Sequence, residues 1–274
     1  AKLKLSKKHI YIFTQHEIPS LNLFKDIKSF YFPVLIKIFY PHSDSIICVS
    51  KELELEIKKL LNNKINNKIS TIYNFIEKDN NYKKISKDSK VFKLLSVGRL
   101  IKSKNHIKLI QAIYLLKDKL NLKLTIIGNG PQKVNLEKLI IHLGVDKIIK
   151  ILPYKKNIYK YYAESDIYIS TSLYESFGNT IVEAMHYGLF IIASNCQYGP
   201  KEILINGKLG KLINPKSPER ISEAIIETSK LKKPPNYKIF LDKCSETTLL
   251  ERYQNLFDSL ISRQNLIDRN FIKC

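Results

Sequence analysis

From residue 91 onward, short apolar runs alternate with longer stretches whose apolar positions recur at helical spacing. Val91–Val97 is an apolar run closed by Gly98, which predicts a buried strand. His106–Leu120 follows, with Ile107, Ile110, Ile113, Leu116 and Leu120 on a helical period. Leu122–Ile127, ending at Gly128, predicts a second strand, and Val134–Leu143, stopped by Gly144, a second helix. Ile148–Leu152, Ile167–Ser170 and Phe190–Ala193 predict three more strands. Ser217–Leu231 predicts an amphipathic helix, broken by Pro234 and Pro235. Strands alternating with helices of this length define βαβ units and a parallel sheet. Each strand is apolar almost throughout, as a sheet covered on both faces requires.

The first third of the chain is thinner. Ile10–Phe13, Ser45–Val49 and Ile69–Tyr73 are strand-like, and Lys51–Leu61 is a helix. Phe30–Tyr40, aromatic and basic, is expected as a helix packing inside this lobe, with help in holding the chain at a membrane face as the alternative. Glu77–Ser89 is polar and predicts a linker, and Thr247–Ile261 predicts a C-terminal helix. The expected organisation is a partial N-terminal lobe with linker over 1–88, a complete lobe over 89–243, and a returning helix over 244–274. The fold class is α/β, with one complete Rossmann-like lobe beside a partial one. Half of a doubly wound domain, standing alone, exposes a sheet edge and an apolar face.

Composition changes this picture in two places. With 46 basic and 25 acidic residues the formal charge is +21, which admits three readings. These are nucleic-acid binding, attraction to an anionic membrane face, or biased composition on a solvated surface. The lysines are dispersed among apolar positions, which favours the last two. Cys48, Cys196, Cys244 and Cys274 show no paired spacing, against a zinc ribbon or disulfide framework and in keeping with a reducing cytoplasm. The histidines form no metal-ligand pattern, no stretch has the roughly 18 apolar residues of a membrane span, and no signal peptide is expected. The chain opens on Ala1 rather than Met, which reads as a processed or truncated piece.

Tyr174 to Gly188 hold the densest chemistry. Glu175 and Glu183 sit eight positions apart around a small-residue turn, just after the run Asp166–Thr171. Strand, loop and helix place Glu175 in the loop and Glu183 one to two turns into the helix. Phe177, Gly178 and Asn179 then offer backbone N–H groups at a helix N-terminus, a ready anion site. Carboxylates beside it accept hydrogen bonds from sugar or ribose hydroxyls. Phosphate together with hydroxyls points to a nucleotide-sugar. Taken singly, each carboxylate also has a plain reading, as a helix-surface residue or a helix-dipole partner.

This stretch resembles the Glu-x7-Glu signature of glycosyltransferase family 4, retaining enzymes of the GT-B fold, here shortened at the N-terminus. The resemblance implies that Glu183 holds the donor ribose and Glu175 the transferred sugar. Gly98-Arg99-Leu100 with Lys104 resembles the family's element at the first strand end of the donor lobe. It implies that Arg99 and Lys104 neutralise the leaving diphosphate. Gly128-Asn129-Gly130-Pro131 is similar to the family's turn near the donor; as a dinucleotide fingerprint it fails, since Lys133 stands at the last glycine. Tyr154 falls where relatives line the nucleotide base, although Pro153 replaces a glycine there. Asn195 to Ile203 resembles a subgroup working on surface polysaccharides and lipid-linked oligosaccharides. His16 resembles a histidine that contacts the transferred sugar; a polar loop histidine is the alternative.

The implied activity is transfer of a hexosyl or N-acetylhexosaminyl group from a UDP-sugar to a hydroxyl of a lipid-linked or polysaccharide acceptor. No metal or other cofactor is expected. The expected location is the cytoplasm, peripheral at the inner membrane face, with no nucleic-acid partner. The competing expectations are an inactive remnant, one half of a split enzyme, or a basic nucleic-acid-binding protein.

Overall fold

Two parallel sheets organise the chain, one of three strands and one of six. The computed structural model describes residues 10–19, 27–83, 91–155 and 157–272. It divides into two units, residues 1–75 with 242–274, and residues 76–241.

The first unit contains β1 (Ile12–Gln15), α1 (Ile27–Phe39), β2 (Ser45–Cys48), α2 (Lys51–Leu60) and β3 (Ile69–Thr71). Its sheet runs β1-β2-β3, all parallel, with Ile12 opposite Ser45 and Ile46 opposite Ile69. The central strand is buried at every position, and α2 turns Leu53 and Ile57 onto it. Strand β1 is shifted two residues from the predicted span. Gln15 is drawn into the sheet because its buried side chain accepts a hydrogen bond from the Tyr40 hydroxyl. Helix α1 differs from the expected core helix. It buries Pro33 and Ile36 but leaves Tyr31, Val34, Leu35, Ile38 and Phe39 exposed. Ser50 caps α2, its Oγ accepting the Leu53 amide at 3.3 Å. Ser50→Ala should therefore lower the unfolding free energy by about 1 kcal/mol in urea denaturation.

The second unit contains β4 (Phe92–Val97), α3 (His106–Tyr114), β5 (Leu122–Ile127), α4 (Lys133–His142), β6 (Ile149–Leu152), α5 (Tyr159–Glu164) and β7 (Ile167–Ser170). It continues with α6 (Asn179–His186), β8 (Phe190–Ser194), α7 (Pro200–Ile203), β9 (Lys211–Ile213), α8 (Pro218–Ser229) and α9 (Lys238–Leu241). Its strand order is β6-β5-β4-β7-β8-β9, parallel throughout. Central strands β7 and β8 are buried at every residue, whereas edges β6 and β9 are only partly covered. This is why the central strands read as continuous apolar runs. Leu94, Ile126, Ile169 and Ile192 of the sheet join one core with Ile110 and Ile113 of α3 and Ile221 and Ile225 of α8. Helix α3 ends at Tyr114 rather than Leu120; Leu116 is still buried, carried by a turn instead of a helix.

The final helix, α10 (Glu246–Ile272), outruns the predicted span and groups with the first unit. There Arg252 donates to the Thr71 carbonyl at 3.1 Å and lies over the Tyr73 ring. The linker expected to begin at Glu77 does not separate there. Residues 76–83 group with the second unit, because His186 Nε2 lies 3.0 Å from the Ile76 carbonyl and the Tyr187 hydroxyl donates to that of Asp79. The rest of that linker, the chain start and Cys274 lie outside the described residues. Among the described residues no helix is long and apolar enough to cross a membrane.

Candidate functional site

In the order β6-β5-β4-β7-β8-β9 the chain winds outward one way from β4 and the other way from β7. Loops leaving the carboxyl ends of these neighbours diverge over a crevice, the place where open parallel sheets bind ligands. The β4 loop holds Arg99 and Lys104, and the β7 loop holds Glu175.

These two loops are tied together by their own backbones. Thr171 Oγ1 donates to the Lys104 carbonyl at 3.1 Å, and the Leu173 amide donates to the Ser103 carbonyl at 2.8 Å. On this frame the Lys104 ammonium forms an ion pair with Glu175 Oε1. Ser172 Oγ donates to the same oxygen at 2.8 Å. Both contacts fall on one carboxylate oxygen, so the other can accept a hydroxyl. Lys104 and Glu175 keep 21% and 14% of their side chains exposed, enough for a ligand to reach both. Arg99 is exposed at the head of the same β4 loop.

Helix α6 begins at Gly178, whose φ of 116° is left-handed and ordinarily closed to other residues. The N-cap residue is a glycine with no side chain to cap this end, and the positive end of the helix dipole lies beside the loop that carries Glu175. The Phe177 ring is buried against Phe240, which leaves the main chain of 177–179 as its contribution to any anion site.

Glu183 lies within α6, held from behind. The Tyr162 hydroxyl donates to its Oε2 at 2.6 Å. Tyr162 is fully buried, with Tyr187 stacked at 5.9 Å and Tyr168 tilted at 6.0 Å. Burial raises the Glu183 carboxyl above the usual carboxylate range, while the Tyr162 hydrogen bond pulls it down.

Gly130 is pressed onto the β4 loop. A Cβ there would lie 2.4 Å from the Leu100 carbonyl, and the Gln132 amide donates to that same oxygen at 2.9 Å. Its first role is a tight turn. Tyr154 is exposed after β6, its amide donating to Asn129 Oδ1 at 3.3 Å, which joins the β5 and β6 loop ends. His16 is exposed just after β1 in the first unit, so the second unit by itself does not gather it with Glu175 and Arg99.

Three contributors escaped the sequence reading: Thr171, Ser172 and Tyr162. Ser172 stands three residues before Glu175 and was visible in principle as a local hydrogen-bond donor. Tyr162 is 21 positions from Glu183, with no local signal linking them. Burial pushes the Cys196 thiol up to about 12, with the Glu175 charge adding to it, so this cysteine is a packed apolar group rather than a nucleophile. Among the described residues no three His, Cys, Asp or Glu side chains gather as a metal would need. A cleft of about 270 Å³ beside Lys211 and Glu227 opens at the amino ends of β8 and β9 and contains none of these residues.

The model of the family Glycosyl transferases group 1 matches residues 77–239, which include every candidate above except His16. The chain belongs to the group 1 glycosyl transferases. An uncharacterized glycosyltransferase of Methanocaldococcus jannaschii is 30% identical over 249 residues, 80% of this chain and 60% of that protein. A Campylobacter jejuni protein is 32% identical over 206 residues, 73% of this chain and 55% of that protein. Its name is N-acetylgalactosamine-N,N'-diacetylbacillosaminyl-diphospho-undecaprenol 4-alpha-N-acetylgalactosaminyltransferase. Among solved structures, Anabaena HepE in complex with UDP and glucose matches with TM-score 0.78 at 19% identity, covering 92% of this chain and 72% of that one. That likeness shows the fold of this group 1 chain: α/β, with two Rossmann-like parallel sheets as in GT-B glycosyltransferases. The group 1 chain spans 60% and 55% of the length of the two relatives named.

Proposed function

We propose that the chain binds a nucleoside diphosphate sugar, with UDP as the nucleotide, and takes part in retaining transfer of the sugar to a hydroxyl. The observation carrying this reading is the convergence of Lys104, Glu175 and the α6 N-terminus around one switch point, with Glu183 in that same helix. In this reading the amides of 177–179, Arg99 and Lys104 bind the diphosphate, Glu183 accepts from the ribose hydroxyls, and Glu175 accepts from the sugar. Gly130 and Tyr154 border the base, and His16 contacts the sugar from the acceptor side. The bond between the anomeric carbon and the diphosphate oxygen breaks as the acceptor oxygen bonds to the same face of that carbon, and the hydroxyl proton leaves with the diphosphate. Catalysis is then positioning plus stabilisation of the charge that develops on the leaving group. Family 4 membership is part of the same proposal, and the reading calls on no metal.

The acceptor proposed is a lipid-linked or surface polysaccharide, at the inner membrane face of the cytoplasm. The undecaprenol-linked substrate in the name of the Campylobacter relative supports it. So do the +21 charge and the exposed apolar side chains of α1. A second reading rests on the first sheet, which has three strands among the described residues: the chain binds donor but needs a further polypeptide for turnover.

Calorimetric titration with UDP tests the donor site. Saturable binding is expected, weakened about tenfold or more by Arg99→Ala and by Glu183→Ala. A folded chain that does not bind UDP would overturn the reading. Turnover appearing only when an upstream polypeptide is added would establish the second one.

A further inference from the structure

We propose that Tyr162 is a positioning residue for the donor site, fixing Glu183 so that one carboxylate oxygen faces the nucleotide's ribose. The proposal rests on the reading of Glu183 as the ribose acceptor and adds a residue to it. A carboxylate on a helix has rotamers to choose from, and a free one spends little time in any single geometry. Here the Tyr162 hydroxyl engages Oε2 at 2.6 Å, which selects the rotamer and leaves Oε1 as the acceptor for a ligand. The phenol is itself immobile. Its ring is fully buried, with Tyr187 stacked on it and Tyr168 tilted beside it, and its oxygen also lies 3.5 Å from the Thr180 carbonyl. Tyr168 in turn donates to Thr180 Oγ1 at 2.7 Å, so α5 and β7 brace the first turns of α6 through phenols.

Tyrosines gather around Glu183: Tyr159 and Tyr162 from α5, Tyr168 from β7, and Tyr187 just past α6, with His186 three residues further along α6 turned to the Ile76 carbonyl. Burial raises all four phenols, so near neutral pH they are uncharged. Glu77 and Asp79 act on Tyr159, Asp79 also acts on Tyr187, and the Lys78 ammonium lies 6.0 Å from the Tyr187 ring centroid. The Tyr162 hydrogen bond is the contact that favours the charged form of Glu183 against burial. The sign follows. Removing that hydroxyl raises the Glu183 carboxyl further, so the ionised acceptor is lost at a higher pH as the solution is acidified.

The test is calorimetry with UDP and its 2′,3′-dideoxy analogue on the whole chain, across pH 5 to 8, for wild type, Tyr162→Phe, Glu183→Ala and the double variant. Tyr162→Phe keeps the ring and its stacking; a circular-dichroism melt verifies folding. The expected result at pH 7 is roughly tenfold weaker UDP binding in Tyr162→Phe, with little change toward the analogue. The acid limb of its UDP affinity should move to higher pH, and the substitution should add nothing in the Glu183→Ala background. UDP binding of Tyr162→Phe equal to wild type at every pH, beside a weakened Glu183→Ala, overturns the positioning role and leaves the donor site standing. Equal loss toward UDP and the analogue, or a full further loss in the double variant, reduces Tyr162 to a structural residue. A wild-type chain that does not distinguish UDP from the analogue removes the ribose reading of Glu183, and the proposal with it.

Discussion

Gly199→Ala is expected to lower the melting temperature by about 4–20 °C and to weaken UDP binding even below the melt. Gly199 adopts a left-handed φ of 51°, and a Cβ there would lie 1.8 Å from the Phe177 carbonyl oxygen. That atom is main chain, so no side-chain rotation relieves the clash. Overpacking costs about 1–3 kcal/mol and the left-handed conformation about 1–2 more, which gives the stability figure. The second effect follows from what must move. Phe177 immediately precedes the N-cap of α6 and lies two residues beyond Glu175, so relief of the clash displaces the main chain proposed to bind the diphosphate. Thermal melts by circular dichroism check the first effect, and UDP calorimetry at 15 °C the second. A variant that melts and binds like wild type would show that the 177–178 main chain can yield without consequence, against a built anion site.

Lys104→Ala is expected to weaken UDP binding about 10- to 100-fold and to leave uridine binding unchanged. The ammonium of Lys104 is shared between Glu175, which holds it in this structure, and the diphosphate that the proposed function brings to it. Uridine has no phosphate and isolates that contribution. Glu175→Gln gives the opposite sign: with the competing carboxylate neutralised, UDP should bind as well as or better than to wild type. Parallel titrations of the three chains with UDP and uridine decide this. Equal losses toward both ligands in Lys104→Ala would mean that the lysine only supports the loop, whose carbonyl Thr171 holds at 3.1 Å.

The six-stranded sheet was legible because its inner strands are buried on both faces and so are written as unbroken apolar runs ending at glycines. β9 was not: Lys211-Leu212-Ile213 is too short for any period to emerge, and its edge position exposes Lys211. Helix α5 was missed for a related reason, since Tyr-Lys-Tyr-Tyr-Ala-Glu is one short, tyrosine-rich turn and a half with no strong helix formers at its start. The end of α3 was overextended because Leu116 and Leu120 keep a helical spacing that a following turn also satisfies. At the candidate site, Glu175, Glu183 and the glycine between them were visible as a local loop-to-helix pattern. The pairings were not, although Lys104 was itself among the candidates. Lys104 lies 71 positions from Glu175 and Tyr162 21 from Glu183, and only strand order brings each pair together. Spacing finds the carboxylates but is silent on what orients them.

The hydrogen bonds that join the β4 and β7 loops divide the rim of the crevice into two kinds of wall. The wall built from residues 98–105 and 171–178 is laced together across the sheet, so a substitution in either loop is transmitted to the other. Among the described residues the side-chain tie between the β5 and β6 loop ends is one amide hydrogen bond, from Tyr154 to Asn129, while the β5 loop is held to the β4 loop through Leu100. Divergence among related chains should therefore concentrate at the β6 end of that second wall, where a new residue would alter which ligand fits without disturbing the wall proposed to grip the phosphates. In such a molecule the capacity to bind and the choice of what to bind are housed on opposite sides, and one can drift while the other stays fixed.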